Sequence, residues 1–155
     1  MSVFIADEQT ESVPLGDLHH LAELIMKEEG YPEAAEVTLL FVDENEMTSY
    51  NQRFLDRGGA TDVLAFPVES LVPGVVPDPD PLGPPLMLGD VVISPSYVRR
   101  QAADLGVPFE DEMTLMVTHG ILHLLGYDHE KDEQESQRME AKSEEILQFI
   151  ADTTV

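Results

Sequence analysis

The stretch FEDEMTLMVTHGILHLL, residues 109–125, has the composition of a helix that must be buried. Its last two turns are apolar around the whole circumference except for two histidines, whereas a helix on a protein surface carries its apolar residues on one side. Pro108 precedes the stretch and Gly126 follows it, where these residue types favour the beginning and the end of a helix. We therefore predict a buried helix from about Pro108 to Gly126.

Strands and helices alternate through the rest of the chain. Apolar runs bounded by turn residues predict strands at Ser2–Ile5, Glu36–Val42, Thr61–Phe66 and Leu88–Ser94. Helical spacing and capping residues predict helices at Asp17–Glu29, from Asp43 to about Leu55, at Pro95–Leu105 and from Lys131 onward. This order indicates an α+β fold, a small mixed four-stranded sheet covered by about five or six helices. The strand EVTLLFV is apolar on both faces, so we expect it at the centre of the sheet.

A proline-rich loop lies between the last two strands, at about residues 69–86. The segment ESLVPGVVPDPDPLGPPLM has six prolines and two glycines, which exclude a regular helix and most pairing between strands. Segments of this length are usually lids, binding loops or disordered excursions. We expect a mobile flap.

Length and composition limit the classes of protein to consider. The 155 residues suit a single domain, which we expect to span residues 1–155. Because the chain has no cysteine, disulfides and thiolate metal sites are excluded, and any metal must be held by His, Asp or Glu. The N-terminal MSVFIADEQTES has neither the basic region of a signal peptide nor the apolar length of a membrane anchor. We expect a cytoplasmic protein with no membrane partner.

Three of the five histidines stand in HGILHLLGYDH, residues 119–129. His119 and His123 are four residues apart, so that on a helix their rings lie one turn apart on the same face, a spacing suited to gripping one ion. Gly126 is expected to end the helix in a left-handed conformation, after which His129 can return to the same ion. Three histidines with one position left open for water is the arrangement of catalytic zinc. We predict one Zn²⁺ per chain, on the buried helix and the turn that follows it.

The spacing H-x-x-x-H-x-x-G-x-x-H matches the metzincin peptidase pattern, except that Gly120 replaces a glutamate. In those enzymes the glutamate takes a proton from zinc-bound water, which glycine cannot do. Peptide hydrolysis by that route is therefore disfavoured, although the metal ligands are complete. His19 and His20 have no such third partner, and we interpret them as surface or boundary residues.

HGILHLLGYDH resembles the H-G-x-L-H-L-x-G-Y-D-H signature of the YbeY family, metal-dependent endoribonucleases of ribosomal RNA maturation. TDVLAFP at Thr61–Pro67 and LGDVVIS at Leu88–Ser94 resemble the family's two other landmarks. The resemblance implies a YbeY-like metal-dependent hydrolase domain with zinc on His119, His123 and His129. It implies a zinc-dependent, single-strand-specific endoribonuclease acting in ribosomal RNA processing and small-subunit maturation. The implied partners are ribosomal RNA, a small-subunit ribosomal protein and an assembly GTPase.

The chain departs from the family pattern beside TDVLAFP. Family members carry an arginine a few residues earlier, thought to meet the phosphate, and Leu55 stands at that position here. Arg53 and Arg57 are the nearest candidates for substrate binding, although both also suit solvated charges at the end of a helix. Ala60 and Ala65 replace the family's usual proline and serine. These changes affect substrate contacts and leave the metal ligands untouched.

Acidic side chains near the histidines have several possible roles. Asp128, beside His129, is the nearest candidate for a catalytic proton acceptor, but orienting a ligand imidazole or capping the turn after Gly126 fits it better. Asp62 and Asp90 stand near strand starts, where they face a cleft or only end a turn.

The net charge of −23 opposes RNA binding, because eight Lys and Arg face 31 Asp and Glu. Two hypotheses reconcile charge and substrate: a local positive cleft formed by Arg53, Arg57, Arg99 and Arg100, or delivery to RNA by a partner with a basic face. Two alternative functions stay open, a non-catalytic ribosome assembly factor with a structural metal and, less favoured, a metallopeptidase.

Overall fold

The computed structural model describes residues 2–56, 58–78, 81–128 and 132–153. In this part of the chain, four strands and five helices follow one another. They are β1 (Ser2–Glu8), α1 (Leu15–Glu28), β2 (Glu36–Val42), α2 (Glu44–Leu55), β3 (Val63–Pro67), β4 (Met87–Ile93), α3 (Pro95–Leu105), α4 (Phe109–Leu124) and α5 (Glu133–Thr153). The predicted α+β class and the four-stranded sheet are confirmed.

The sheet is mixed, with strand order β1-β2-β4-β3. β2 pairs in parallel with both β1 and β4, whereas β3 pairs antiparallel with β4. The predicted central position of EVTLLFV is therefore confirmed, and its strand bounds are those expected. β1 is three residues longer than predicted, because its pairing with β2 continues to Glu8 opposite Val42.

The ends of α2 and α3 show how local residue chemistry sets the bounds of a helix. Asp43 caps α2, since its side chain accepts a hydrogen bond from the backbone N–H of Glu46 at 2.8 Å. Gly106 follows α3 with a φ of 70°, the left-handed conformation that glycine adopts without strain. Ser94 precedes α3 as predicted, but its buried hydroxyl makes no hydrogen bond within the described part of the chain.

Apolar side chains pack on both faces of the sheet. The main core joins one face to α1, α4 and α5, and it includes Leu39 and Phe41 of the central strand. A smaller cluster lies on the opposite face, where Met47 of α2 packs against Val42, Leu64 and Val92. Burying the sheet from both sides explains why the central strand has apolar residues on both of its faces.

Helix α4 lies directly against β3 and β4, and Gly120 makes this close approach possible. A Cβ atom at Gly120 would lie 2.4 Å from Cγ1 of Val91 and 3.2 Å from Cγ2 of Val63. Real Cβ atoms do not approach carbon so closely. The glycine in the position of the metzincin glutamate is therefore required by packing, and the adjacent His119 is held against the sheet.

The proline-rich segment is a loop as predicted, and its first half lies on the body of the protein. Leu71 and Val76 pack against the main core. The carbonyl oxygen of Leu71 would lie 2.3 Å from a Cβ atom at Gly126, so the loop contacts the turn that follows α4. That the segment moves as a flap stays a prediction.

Among the described residues, none of the helices combines the length and the apolar composition needed to cross a membrane.

Candidate active site

A cleft of about 650 Å³ opens between α4 and the edge of the sheet. Met116, His119, Gly120 and His123 of α4 form one wall, and Gly126 to Asp128 continue it beyond the end of the helix. Strand β3 forms the facing wall, from Val63 to Ala65 and at Pro67. The end of α2 and the loop behind it close the cleft with Asn51, Leu55, Gly58 and Ala60. The cleft thus brings together segments far apart in the chain.

The structure places His119 and His123 in the same cleft, as their spacing predicts. Both are half-buried, and they lie one turn apart on a helix that Gly120 holds tightly to the sheet. Imidazole nitrogens on one face of a rigid helix fit the donor set of a zinc site. His129 lies outside the described residues. Within them, no group of three or more His, Asp or Glu side chains is close enough to hold a metal.

The chain turns sharply after α4, at Gly126, where the sequence predicts the end of the helix. Gly126 has a φ of 102°, and its N–H donates to the carbonyl oxygen of His123 at 3.1 Å. The N–H of Tyr127 donates to the carbonyl oxygen of Leu122 at 3.0 Å. These two bonds form a Schellman motif, which requires the left-handed conformation at Gly126. The predicted turn is confirmed, and it returns Tyr127 and Asp128 to the cleft.

A buried polar contact holds this turn in place. The hydroxyl of Tyr127 donates to Oε1 of Glu29 at 2.8 Å, and Nζ of Lys142 lies 3.2 Å from Oε2 of the same carboxylate. Burial raises the pKa of Tyr127 above its usual value, and the hydrogen bond to Glu29 raises it further. Burial lowers the pKa of Lys142, but the charges and hydrogen bonds of Glu29 and Glu145 together outweigh it, so that the net pKa is raised. Glu29 therefore ties the end of α1, the turn and α5 together.

Strand β3 presents an open backbone edge to the cleft. Ser94 N–H donates to the carbonyl oxygen of Asp62 at 3.0 Å, and Val68 N–H donates to that of Leu88 at 3.1 Å. Because hydrogen-bonded pairs alternate along an antiparallel ladder, Leu64 and Phe66 also bond to β4. The backbone N–H and C=O of Ala65 consequently point away from β4, toward the open edge. A ligand in the cleft finds a donor and an acceptor there.

The two aspartates considered for the cleft differ in position. Asp62 lines the cleft, but its Oδ1 accepts from the backbone N–H of Val63 at 2.7 Å and its Oδ2 accepts from the Gln101 amide at 3.2 Å. It therefore caps the start of β3. Asp90 is exposed in the middle of β4 and is not among the cleft residues.

Asp128 and the arginines occupy different places around the site. Asp128 is half-buried and lines the cleft, and its role beside the metal ligands stays a prediction. Arg53 lies outside the cleft lining, with its guanidinium over the rings of Tyr50 and Phe54, and Arg57 falls outside the described residues. Substrate binding by either arginine stays a prediction. Leu55 does line the cleft, at the position of the family's arginine.

The hypothesis of a four-arginine cleft is wrong for Arg53, Arg99 and Arg100, none of which lines the cleft, and Arg57 lies outside the described residues. Nε of Arg99 lies 3.1 Å from Oε2 of Glu11, and the Arg100 guanidinium pairs with Glu44. Each of these two arginines is paired with a glutamate from a neighbouring segment, which neutralises its charge.

Two features in and beside the cleft were not predicted from the sequence. Phe54 follows the helical spacing of α2, yet its side chain is 56% exposed because it lies beyond the second apolar cluster, over the edge of the sheet. The buried Asn51, whose amide donates to the carbonyl oxygen of Gly59 at 3.0 Å, was also overlooked. A polar residue on the apolar face of α2 was the available signal.

The fold and the cleft define a class: an α+β protein whose buried helix presents a histidine pair to a cleft bordered by an edge strand. A family model described as Endoribonuclease YbeY matches residues 4–151. Curated proteins named Endoribonuclease YbeY are similar along the chain. The one from Acidothermus cellulolyticus is 38% identical over all of this chain and 95% of its own length. That from Beutenbergia cavernae is 37% identical over 97% of this chain and 99% of its own.

A solved structure is also similar. The solution structure of TM1509 from Thermotoga maritima is 30% identical and has a TM-score of 0.63, over 93% of this chain and 85% of that one. The match of the family model over nearly the whole chain is decisive. This chain belongs to the Endoribonuclease YbeY family.

Proposed function

We propose that this protein is a zinc-dependent endoribonuclease that cuts single-stranded RNA in ribosomal RNA processing and small-subunit maturation. Membership of the Endoribonuclease YbeY family supports the activity on RNA phosphodiester bonds. The observation that carries the metal dependence is the pairing of His119 and His123, one turn apart in one cleft.

His119, His123 and His129 are the residues that would hold the metal. A bound zinc ion supplies a Lewis acid for phosphoryl oxygens and lowers the pKa of water toward ~7. The protein supplies the positioning: Gly120 lets the helix lie close to the sheet and the Glu29 contact fixes the turn. We propose that Asp128, which lines the cleft, orients a ligand imidazole. The N–H of Ala65 is available to donate to a substrate oxygen from the facing wall.

The cleft favours phosphodiester cleavage over peptide hydrolysis. A glutamate at residue 120 would have to occupy the space of Val91, so the proton acceptor of the metzincin mechanism has no room here. Phosphoryl transfer depends more on positioning and charge stabilisation than on such a base. An open edge strand beside the histidines does suit an extended peptide, which keeps the metallopeptidase as a second candidate.

RNA cleavage by the purified chain tests the activity. We expect cleavage of single-stranded RNA that stops with a chelator and with His123→Ala, while His20→Ala on the exposed side of α1 retains it. Turnover of an unstructured peptide and not of RNA would select the peptidase. Folded, metal-bound protein that cuts neither would select the non-catalytic assembly factor with a structural metal.

The proposed cellular role has its own test. The partners we propose are a small-subunit ribosomal protein and an assembly GTPase, since an acidic exterior complements a basic partner. Depleting the protein should leave unprocessed ribosomal RNA ends, which the wild-type chain restores and His123→Ala does not. Mature ends in depleted cells would contradict the role without contradicting RNA cleavage in vitro.

A further inference from the structure

Three aromatic rings gather at the end of α2 and on β3. The ring of Phe54 lies 5.9 Å from that of Tyr50, nearly parallel at 23°, and 5.3 Å from that of Phe66, edge to face at 64°. Tyr50 and Phe66 are 6.1 Å apart. We call these three residues the aromatic platform.

Two rings of the platform pack against the protein, and the third is exposed to solvent. Tyr50 and Phe66 pack against the second apolar cluster and are half-buried. The side chain of Phe54 is 56% exposed, so it contributes little to the core. Its ring contacts the rings of Tyr50 and Phe66. A large ring held in place by two others, with more than half of its surface in solvent, is suited to contact with another flat group.

A positively charged side chain, that of Arg53, lies beside the platform. The guanidinium of Arg53 lies 5.1 Å from the centre of the Phe54 ring and 5.7 Å from that of Tyr50. Arg99, Arg100 and Lys142 pair with carboxylates. Arg53, by contrast, has no carboxylate within 4 Å in the parts of the chain that the structure describes. Its charge is therefore available to an anionic ligand beside the platform.

The platform and the cleft meet at the end of α2. Phe66 points to the α2 face of β3, whereas its neighbours Ala65 and Pro67 point to the other face and line the cleft, because successive side chains of a strand alternate. Leu55, which follows Phe54 in the chain, also lines the cleft. The platform therefore lies beside the cleft, at its α2 end.

We propose that Phe54, supported by Tyr50 and Phe66, is a stacking site for an unpaired RNA base, with Arg53 beside the adjoining phosphate. This inference rests on the proposed function. A chain with a net charge of −23 has few phosphate contacts to offer, whereas stacking on an aromatic ring needs no positive charge. Bases inside a duplex are already stacked on one another, so the platform selects single strands.

Binding of single-stranded RNA tests the platform without turnover. In the full chain carrying His123→Ala, Phe54→Ala should weaken binding of a fluorescent single-stranded RNA roughly 5- to 150-fold, the equivalent of about 1–3 kcal/mol per stacked base. Phe54→Trp should keep the affinity and Phe54→Leu should not, because leucine is apolar but has no ring. The matched control is Phe4→Ala, since Phe4 is 52% exposed on β1, at the opposite edge of the sheet.

Salt dependence separates stacking from charge. Phe54→Ala should leave the slope of log affinity against log salt unchanged, while Arg53→Gln should reduce it by about 0.7, one phosphate on a single strand. In the chain with His123 intact, Phe54→Ala should raise KM for a short RNA and leave kcat unchanged.

The outcomes distinguish the platform from the activity. Equal binding by Phe54→Ala and Phe4→Ala, or full affinity in Phe54→Leu, would overturn the platform even if the wild-type chain cuts RNA. Loss of a protein partner without loss of RNA affinity would assign the surface to that protein instead. Phe54-dependent binding with no cleavage by the wild-type chain would keep the platform and refute the nuclease.

Discussion

At the scale of single residues, two small changes from familiar patterns decide what this cleft can do. Gly120 removes the glutamate that a peptidase needs and lets α4 rest on Val91. Leu55 lines the cleft at the position where the family resemblance predicts an arginine. Gly120 has no side chain and Leu55 has no charge, so a substitution at each position tests its effect directly.

Replacing Gly120 by alanine should destabilise the protein by about 1–3 kcal/mol, although alanine is the better helix former by roughly 1 kcal/mol. The clash prevails because Val91 is fully buried and its β-branched side chain is stiff. Denaturant unfolding measures the effect. Gly16→Ala in α1 is the control, because nothing lies within 4 Å of its added Cβ. Adding Val91→Ala to Gly120→Ala should recover part of the loss, and strict additivity of the two would contradict a direct clash.

Replacing Leu55 by arginine should strengthen binding of single-stranded RNA about tenfold, since a charge-assisted hydrogen bond to phosphate contributes roughly 1.5 kcal/mol or more. Leu55 is 42% exposed, so the longer side chain can be accommodated at the rim of the cleft. Fluorescence anisotropy at fixed salt measures the gain. Leu105→Arg, on the exposed end of α3, controls for the added charge, and an equal gain there would show that position 55 has no special role.

At the scale of elements, the turn after α4 is the part of the site most dependent on its supports. The Schellman motif at Gly126 sets its direction, the carbonyl of Leu71 packs over it, and Glu29 binds the hydroxyl of Tyr127. These three contacts come from the turn itself, the proline-rich loop and α1. The position of Asp128 in the cleft is therefore a product of the tertiary structure.

Glu29→Ala should lower the free energy of unfolding by roughly 2–4 kcal/mol, because it leaves the buried Tyr127 hydroxyl without its acceptor and leaves Lys142 with only the exposed Glu145 as partner. It should also reduce metal affinity by loosening the turn. Glu23→Ala is the matched control on the same helix, where the carboxylate makes a half-exposed contact with His19, and a change below about 0.5 kcal/mol is expected. Equal losses in the two variants would contradict a special role for Glu29.

The sequence predicted the elements better than their arrangement. Helix bounds followed from local chemistry, as with Asp43 at the start of α2 and Gly106 at the end of α3. The His119 and His123 pair followed from helical periodicity alone. The exposure of Phe54 and the pairing of Arg99 with Glu11 did not, because they depend on which strand forms the sheet edge and on side chains 88 positions apart. Contacts between distant segments leave no local pattern.

At the scale of the whole molecule, the buried tyrosines and Lys142 set the response to alkaline pH. The pKa values of Tyr31 and Tyr127 are both raised, chiefly by burial, and that of Lys142 is raised because Glu29 and Glu145 together outweigh the effect of burial. A raised pKa in the folded state stabilises the protein at pH values below the unfolded pKa. That stability is lost as the pH rises through the folded pKa.

The contribution of these groups to stability should therefore not change with pH near pH 8, and stability should fall above about pH 10, the ordinary pKa of tyrosine. Chemical denaturation at a series of pH values measures the slope. Tyr127→Phe should show a shallower alkaline fall than the wild type. Tyr97→Phe serves as a comparison on the half-exposed face of α3. A slope that is unchanged by Tyr127→Phe would contradict the contribution assigned to that hydroxyl.

The zinc content of the purified chain tests the central claim most directly. Metal analysis after dialysis should find about one zinc ion per wild-type chain, the same in His20→Ala, and none in His123→Ala, with circular dichroism showing that all three chains are folded. Wild-type protein without zinc, or His123→Ala that retains as much zinc as the wild type, would contradict a metal centre on the histidines of the cleft.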